Sequence, residues 1–195
     1  MANSRTSKPT AAGRRSEILT AAAQRFVDQG FAQSTLREIA ADCDIRPAAI
    51  YYYFRSKTDI LTAVHEEGMR QIKNAVEQAL EPNDGPWQRL EAAAIAHLNA
   101  LLEGGVFFQA VMQEMPKEPT AAKHIVALRN AYESIFDDLF GALDLPPDCD
   151  RRDLRLMLLG AMNWSHRWYQ PGGKTPEQLA RNYIRFLRQQ LESTE

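Results

Sequence analysis

The chain lacks the features that define several large classes of protein. Its 195 residues include only two cysteines, Cys43 and Cys149, so no disulfide framework is expected. No run of about 18 consecutive apolar residues is present. The N-terminus has no apolar signal segment. The sequence therefore predicts a cytoplasmic protein with no membrane-spanning helix.

Motifs for the common kinds of catalysis are missing as well. There is no Gly-rich phosphate loop, no Cys-x-x-Cys pair and no His-Glu-x-x-His zinc motif. The closest approach, His65-Glu66-Glu67, has no second histidine. We therefore expect no enzyme activity, no metal site and no cofactor.

Charge is nearly balanced overall but unevenly distributed. The net charge is −2, yet residues 1–60 carry +3 and the remainder carries −5. A mildly basic N-terminal part on an acidic body fits contact with DNA at one end of the molecule.

The clearest local pattern runs through residues 35–57. Thr35 and Glu38 form a capping box that begins a helix. Asp44 falls where the chain must turn sharply, and Asp tolerates the left-handed conformation. Pro47 suits the first position of the next helix, since its missing N–H would be unpaired there anyway. Two short helices joined by a tight turn form a helix-turn-helix, whose second helix can enter the DNA major groove.

Three adjacent tyrosines, Tyr51, Tyr52 and Tyr53, follow Ile50. They cannot all face a core, and phenol hydroxyls together with Lys57 are suitable donors to phosphate. The alternative interpretation is a helical hairpin with half-buried tyrosines.

Three segments together resemble the DNA-binding domain of the tetracycline-repressor-like (TetR) regulators: Gln29-Gly30-Phe31, Ser34 to Ala40, and Ile50 to Lys57. The resemblance implies that Thr35, Tyr51, Tyr53 and Lys57 hold the DNA backbone. The complete set of expected DNA-binding residues is Thr35, Arg46, Pro47, Ala48, Ala49, Tyr51, Tyr52, Tyr53 and Lys57.

The chain departs from the family pattern at two positions. Asp44 stands where the family usually has Gly, and Arg46 stands where it usually has a small hydroxyl residue. Arg offers no acceptor to cap the helix, and its charge faces the positive end of the helix dipole. Three interpretations of Arg46 remain: hydrogen bonds to guanine, a phosphate contact, or an exposed charge with no role.

Hydrophobic periodicity and Gly/Pro breaks predict an all-α fold of about nine helices. We divide the chain into a disordered tail (1–13), a helix-turn-helix DNA-binding domain (14–60) and a ligand-binding and dimerisation domain (61–195). The tail, with Arg5 and Lys8, is either an arm that reaches DNA or a solvated terminus. The predicted longer helices are Arg14–Gln29, Lys57–Leu80, Trp87–Leu102, Val106–Met115, Thr120–Leu143, Asp150–Tyr169 and Thr175–Leu191.

The middle helices carry large apolar side chains that suit the wall of a cavity for an apolar ligand. Each of these could equally belong to the core, and a histidine such as His97 is a candidate for either place. Arg167 either meets an anionic group or bonds the carbonyls at its helix end. The candidate ligand-binding residues are Trp87, Leu98, Phe107, Phe108, Val111, Met112, Met115, Phe136, Asn163, Trp164 and Arg167.

The segment from Arg167 to Gly173 resembles the ending of a subset of these regulators. Some members of that subset respond to acyl-CoA thioesters, so the resemblance implies an acyl-CoA or similar fatty ligand. In this family the last two helices form a four-helix dimer interface. The helix 150–169 is apolar on nearly every side and is expected to be buried all round. The expected interface residues are Leu154, Leu158, Ala161, Tyr183, Phe186 and Leu187.

These observations predict a homodimeric transcriptional regulator that acts as a repressor. A palindromic double-stranded operator and a small apolar effector would be its partners. The helix from Lys57 to Leu80 would connect the two domains. The alternative is a helical small-molecule or lipid carrier with no function linked to DNA.

Overall fold

The computed structural model describes residues 10–82, 84–113 and 115–192. Within these residues the chain forms nine α-helices and one 3₁₀ turn (Ser165–Arg167) and no strand, which confirms the predicted all-α fold. The possible DNA-reaching arm with Arg5 and Lys8 lies outside the described residues. The helices are α1 (Ala11–Gln29), α2 (Leu36–Asp42), α3 (Pro47–Ile50), α4 (Lys57–Ala79), α5 (Pro86–Glu103), α6 (Val106–Gln113), α7 (Pro119–Gly141), α8 (Arg151–Trp164) and α9 (Pro176–Glu192).

Helix α1 begins earlier than the sequence pattern predicts. Thr10 is its N-cap, and the Thr10 hydroxyl accepts from the Gly13 backbone N–H at 3.1 Å. Residues 11–13 are therefore helical, and assigning them to a disordered tail is wrong. An N-cap threonine followed by two alanines gives the helix a start that hydrophobic periodicity does not reveal.

The N-terminal helices enclose a small core of their own, which we call the head. Ile18, Ala22 and Phe26 of α1 pack against Ile39 of α2 and Ile60 of α4, all of them buried. Because α4 begins in this core and is 23 residues long, it continues into the second half of the molecule.

The remaining helices enclose a second, larger core, the body. Helix α5 lies at its centre, where Leu90 and Leu98 are completely buried, and it packs on α4 and α9. Phe136 of α7 and Met162 of α8 complete the centre of this core.

Helix α8 is buried on one face only, which differs from the prediction that it is buried on all sides. Leu158 and Met162 face the body core, whereas Met157 and Trp164 are exposed. The 3₁₀ turn then replaces the last part of the predicted helix, and the Ser165 hydroxyl there donates to the Ala161 carbonyl at 3.0 Å. Among the described residues no single helix is long and apolar enough to cross a membrane, and α5 and α6 reach that threshold only as a pair bent by 92°.

Candidate DNA interface and ligand cavity

The capping box expected at Thr35 is present and fixes the start of α2. The Thr35 hydroxyl accepts from the Glu38 N–H at 3.2 Å, and the Glu38 carboxylate accepts from the Thr35 N–H at 2.9 Å. The hydroxyl also donates to Glu38 at 2.7 Å. These hydrogen bonds from the Thr35 side chain and backbone lower the pKa of Glu38. The hydroxyl hydrogen of Thr35 is therefore already used in a hydrogen bond within the protein. For other contacts this side chain can offer only its oxygen, as an acceptor.

Helix α2 is also tied to α1 by Arg25. This guanidinium donates to both carboxylate oxygens of Asp42 and lies 3.5 Å from Glu38. The hydrogen bond from Arg25 lowers the pKa of Asp42. The first helix of the motif is therefore held on the head at both of its ends.

The turn between α2 and α3 has the backbone that the sequence predicts. Asp44 is left-handed, with φ of 52°. Pro47 then opens α3, and Arg46 is the N-cap with no side-chain hydrogen bond to the helix. The side chains of Arg46 and Ala48 are exposed, so the start of α3 presents an arginine and a small apolar residue to the outside.

The tyrosines form a turn that follows α3, not a continuation of the helix. Helix α3 ends at Ile50, and the Tyr53 N–H donates to the Ile50 carbonyl at 2.9 Å. Tyr51 is 61% exposed and Tyr52 is 81% exposed. Tyr53 is half-buried and meets the Tyr52 ring edge-to-face at 5.0 Å. Two of the three phenol groups therefore lie on the surface, as a phosphate contact would require.

The ammonium group of Lys57 is bound within the protein, and its expected contact with the DNA backbone stays a prediction. Its Nζ lies 2.6 Å from the Phe31 carbonyl oxygen, 3.2 Å from that of Ala32 and 2.7 Å from that of Ser34. It also lies 4.4 Å from the centroid of the Phe31 ring. An ammonium group has three N–H donors, and the loop between α1 and α2 accepts from all three. Lys57 therefore holds that loop against the start of α4.

A cavity of about 210 Å³ lies in the body, bounded by α4, α5, α6, α7 and α8. Its wall is mainly apolar, with a few polar groups. The apolar lining residues are Met69, Ile72, Leu101, Phe108, Val111, Met112, Met115, Ile125 and Leu159. The polar ones are His65, His97, Arg129, Tyr132, Glu133 and Asn163.

Inside this cavity wall, His97 and Tyr132 form a buried polar pair. His97 Nδ1 lies 2.6 Å from the Tyr132 hydroxyl, and the two rings are stacked. Burial lowers the pKa of His97 to about 4, an effect that the neighbouring Asn163 side chain only partly offsets. Burial also raises the pKa of Tyr132. At neutral pH both side chains are therefore uncharged.

Charged residues line the rim of the cavity. Glu133 lies 3.4 Å from Arg155 and 3.8 Å from Arg129, and Arg155 is also paired with Asp137 at 2.6 Å. In residues 10–82, 84–113 and 115–192, no three His, Cys, Asp or Glu side chains are grouped so that they could hold a metal ion.

Comparison with known proteins agrees with both halves of this structure. Residues 18–64 match the model of the bacterial regulatory proteins of the tetR family. Residues 83–191, more than half of the chain, match the tetracyclin repressor-like C-terminal domain. The chain belongs to the TetR family. It is therefore a helix-turn-helix transcriptional regulator, and the resemblance seen in the sequence is confirmed.

Three proteins that are distant in sequence match about nine-tenths of the chain. The HTH-type transcriptional repressor KstR2 of Mycolicibacterium smegmatis is 27% identical over 184 residues, which are 90% of this chain and 89% of that protein. The superantigen PfiT has a similar structure (TM-score 0.79, 27% identity), covering 91% of this chain and 97% of that one. AibR in complex with isovaleryl coenzyme A and operator DNA shares the fold (TM-score 0.75, 24% identity), covering 89% of this chain and 97% of that one.

Five of the eleven expected ligand-binding residues line the cavity: Phe108, Val111, Met112, Met115 and Asn163. The other six lie elsewhere. Leu98 and Phe136 are completely buried in the body core, and Phe107 packs against the head core. Trp87 packs on the edge of the body core beneath the Arg188 guanidinium.

Trp164 and Arg167 are the remaining two, and both lie outside the cavity. Trp164 is 62% exposed, and the Arg167 guanidinium lies 5.8 Å from the centroid of its ring. Arg167 and His166 line an open groove whose inner side is formed by Leu101, Phe108 and Met112. Those three residues also line the cavity, so cavity and groove share a wall.

Sequence reasoning missed the polar part of α7 in the cavity wall. Ile125, Tyr132 and Phe136 are buried on one face of this helix, and Arg129 and Glu133 lie beside them at the cavity. The position of Arg129 and Glu133 next to an apolar stripe at helical spacing could have indicated that they border the buried side of this helix. His97 belongs to the same wall, as one of its two possible interpretations foresaw.

The expected dimer residues divide into three groups, which differ in how exposed they are. Leu158 and Leu187 are only 3% and 6% exposed, because they pack into the protomer's own body core, and so they cannot be main contacts of a partner. Leu154 and Tyr183 are half-buried, and the Tyr183 hydroxyl pairs with Ser165 at 3.1 Å. Ala161 and Phe186 are exposed. We call the exposed surface formed by Met157, Ala161, Trp164, Trp168 and Phe186 the α8–α9 face.

Proposed function

We propose that this TetR-family protein is a homodimeric repressor that leaves a palindromic operator when an apolar, acyl-type ligand enters the body cavity. The observation that carries the proposal is that α6 packs in both cores. Val106, Phe107 and Ala110 pack in the head core. Phe108, Val111 and Met112 line the cavity.

Helix α4 makes a second connection between the same two places. Its first half contributes Ile60 and Val64 to the head core, and its second half contributes Met69 and Ile72 to the cavity wall. A ligand that fills the cavity must therefore press on the helices that position the DNA-binding motif. It can shift the population only if it binds one arrangement of these helices better than the other.

The shape of the cavity and groove supports an amphipathic ligand. The cavity is mainly apolar, and its volume of about 210 Å³ suits a short acyl chain. The adjoining groove carries Arg167 and His166, which can bind an anionic group. The isovaleryl coenzyme A in the AibR complex has this combination of a short acyl chain and a phosphate-bearing part. An acyl-CoA is therefore the first ligand to test.

The α8–α9 face supports the dimer. It places a methionine, two tryptophans and a phenylalanine on the surface of one protomer, and large exposed apolar side chains grouped in this way mark interaction sites. A dimer doubles the number of base pairs read and matches a palindrome. Because operator DNA lies in the cytoplasm, the proposal also includes a cytoplasmic location.

The test is gel retardation of a duplex that contains the palindrome nearest to the protein's own gene. We expect retardation that survives excess unrelated DNA and that isovaleryl-CoA or a longer acyl-CoA reverses, with free coenzyme A as the control. Retardation that no acyl-CoA reverses would reject the ligand class. Acyl-CoA binding with no sequence-specific retardation would favour the carrier function instead.

A further inference from the structure

One nitrogen in the cavity wall has no partner. His97 is 1% exposed, and its Nε2 makes no hydrogen bond within the described part of the chain, whereas its Nδ1 is paired with Tyr132. The Asn163 side chain lines the same cavity and lies close enough to the ring to raise the pKa of His97, but it is outside hydrogen-bond geometry with Nε2. A buried polar atom left unpaired is costly, so such atoms in native proteins call for an explanation.

The Tyr132 hydroxyl fixes which nitrogen of His97 carries the proton. Tyr132 is buried, and its hydroxyl lies 2.6 Å from His97 Nδ1. If the phenol donates to Nδ1, one buried polar atom remains unpaired, namely Nε2–H. If Nδ1 instead carried the proton and donated to the phenol oxygen, both the phenol proton and the Nε2 lone pair would be unpaired. The first arrangement leaves fewer unpaired groups, so His97, which lines the cavity, carries its proton on Nε2 and has this N–H left to donate.

We propose that the buried part of the ligand carries an uncharged acceptor oxygen, such as a ketone or thioester carbonyl, and that His97 Nε2–H donates to it. This inference rests on the proposed function, because it assigns a ligand chemistry to the same cavity. A carboxylate fits this position poorly, since the imidazole is neutral and the nearby Tyr132 and Asn163 carry no charge, so a buried anion beside them would lack a compensating charge. Arg129 lies at the exposed rim of the cavity, where its charge is already paired with Glu133 and does not neutralise a buried anion.

The experiment uses two probes of equal shape, cyclohexanone and methylenecyclohexane, which differ by an oxygen in place of a CH₂ group. Their Kd values are measured on the full-length protein, on His97→Phe and on Met112→Leu. The ratio of the two Kd values is then compared between proteins, so that the different hydration of the probes cancels.

We expect His97→Phe to reduce the preference for the ketone about tenfold, the usual worth of one buried hydrogen bond. Met112→Leu changes the cavity wall without changing a polar group, so it should alter both Kd values together and leave their ratio unchanged. Tyr132→Phe removes the hydroxyl that keeps the His97 proton on Nε2, so both tautomers become accessible. It should reduce the preference for the ketone by less than His97→Phe does. An equal ratio in the wild-type protein and His97→Phe would overturn the inference.

A second measurement needs no variant and therefore does not depend on His97→Phe folding. ¹⁵N NMR of the histidine rings in the wild-type protein should show a neutral His97 protonated at Nε2, and cyclohexanone should shift that resonance. A proton on Nδ1 would overturn the inference.

The inference and the proposed function fail in different ways. If the ketone preference is as expected but no acyl compound releases DNA, the ligand-responsive function is wrong and the inference stands. If the protein retards its operator and binds neither probe, the inference is wrong and the DNA-binding part of the proposed function stands.

Discussion

Lys57 lies at the first position of α4 and donates to three carbonyl groups of the loop that joins α1 to α2. Replacing it with methionine would keep most of the apolar stem and remove all three donors. Because hydrogen bonds from a charged group are worth more than neutral ones, we expect Lys57→Met to lower the free energy of unfolding by about 2 kcal/mol. Urea unfolding followed by circular dichroism measures this change.

Lys73→Met is the matched control, because Lys73 is on the same helix and is paired with Glu77 across an exposed helical turn. Such a pair contributes roughly 0.3–0.5 kcal/mol, so its loss should be almost undetectable. If Lys57→Met unfolded like the wild-type protein and lowered the salt dependence of DNA binding by about one phosphate contact, the role first expected at the backbone would be supported.

Arg46 is the residue whose chemistry disagrees most with its position. It caps α3 without a side-chain hydrogen bond, and its side chain is exposed beside Ala48. Arg46→Ser would supply the missing cap, and we expect it to stabilise the isolated protein by about 1 kcal/mol. The same change should abolish the preference for guanine at one position of each half-site, since Arg can donate two hydrogen bonds to guanine. A binding series over single base substitutions measures this preference; equal weakening of every operator variant would instead identify a phosphate contact.

Single residues also show which parts of the site the sequence can predict. The capping box at Thr35 and the left-handed Asp44 follow from local backbone rules, and both are confirmed. The contacts of Lys57 span 23 to 26 residues of sequence, and no local rule contains them. The unpaired nitrogen of His97 likewise arises only when α5, α7 and α8 meet.

At the scale of secondary structure, α6 is the element that joins the two cores, although it has only eight residues. It passes close to α4 at Gly68, where a Cβ atom would lie 2.8 Å from Val111 Cγ2 and 3.3 Å from the Phe107 carbonyl oxygen. Hydrophobic periodicity predicted the existence of both helices. It could not predict the distance between them, because this distance is set by the absence of a side chain at Gly68 and by the branched side chain of Val111.

Gly68→Ala tests whether this contact transmits the effect of the ligand. The new methyl group should push α6 away from α4 and cost about 1–3 kcal/mol, less the roughly 1 kcal/mol that Ala gains over Gly within a helix. We expect the concentration of acyl-CoA needed to release DNA to change. The double variant Gly68→Ala/Val111→Ala lacks the closest clashing atom, Val111 Cγ2. Its release of DNA by acyl-CoA should therefore resemble that of the single variant Val111→Ala. Gly141→Ala meets no atom within 4 Å and is the control; an unchanged response in Gly68→Ala would place the transmission elsewhere.

At the scale of the whole molecule, the sequence could not predict how apolar residues are allocated between core and surface. The basic N-terminal part and the helix-turn-helix pattern both point to the head. In the body, helical spacing selects apolar residues without saying which face meets the protomer's own core. Leu158 and Met157 are adjacent in sequence, yet the first is 3% exposed and the second is 58% exposed.

The same pair of residues gives the sharpest test of the dimer. Met157→Glu places a charge on the α8–α9 face, where the protomer itself loses little, because the side chain is already exposed. We expect a folded monomer by light scattering and loss of operator binding, since one head reads only a half-site. Leu158→Glu buries the same charge in the body core and should unfold the protein. Gln78→Glu adds an equal charge at an exposed position of α4 and should leave both folding and association unchanged. A Met157→Glu variant that remains dimeric would mean that the two copies associate through another surface, and the exposed tryptophans would then need a different partner.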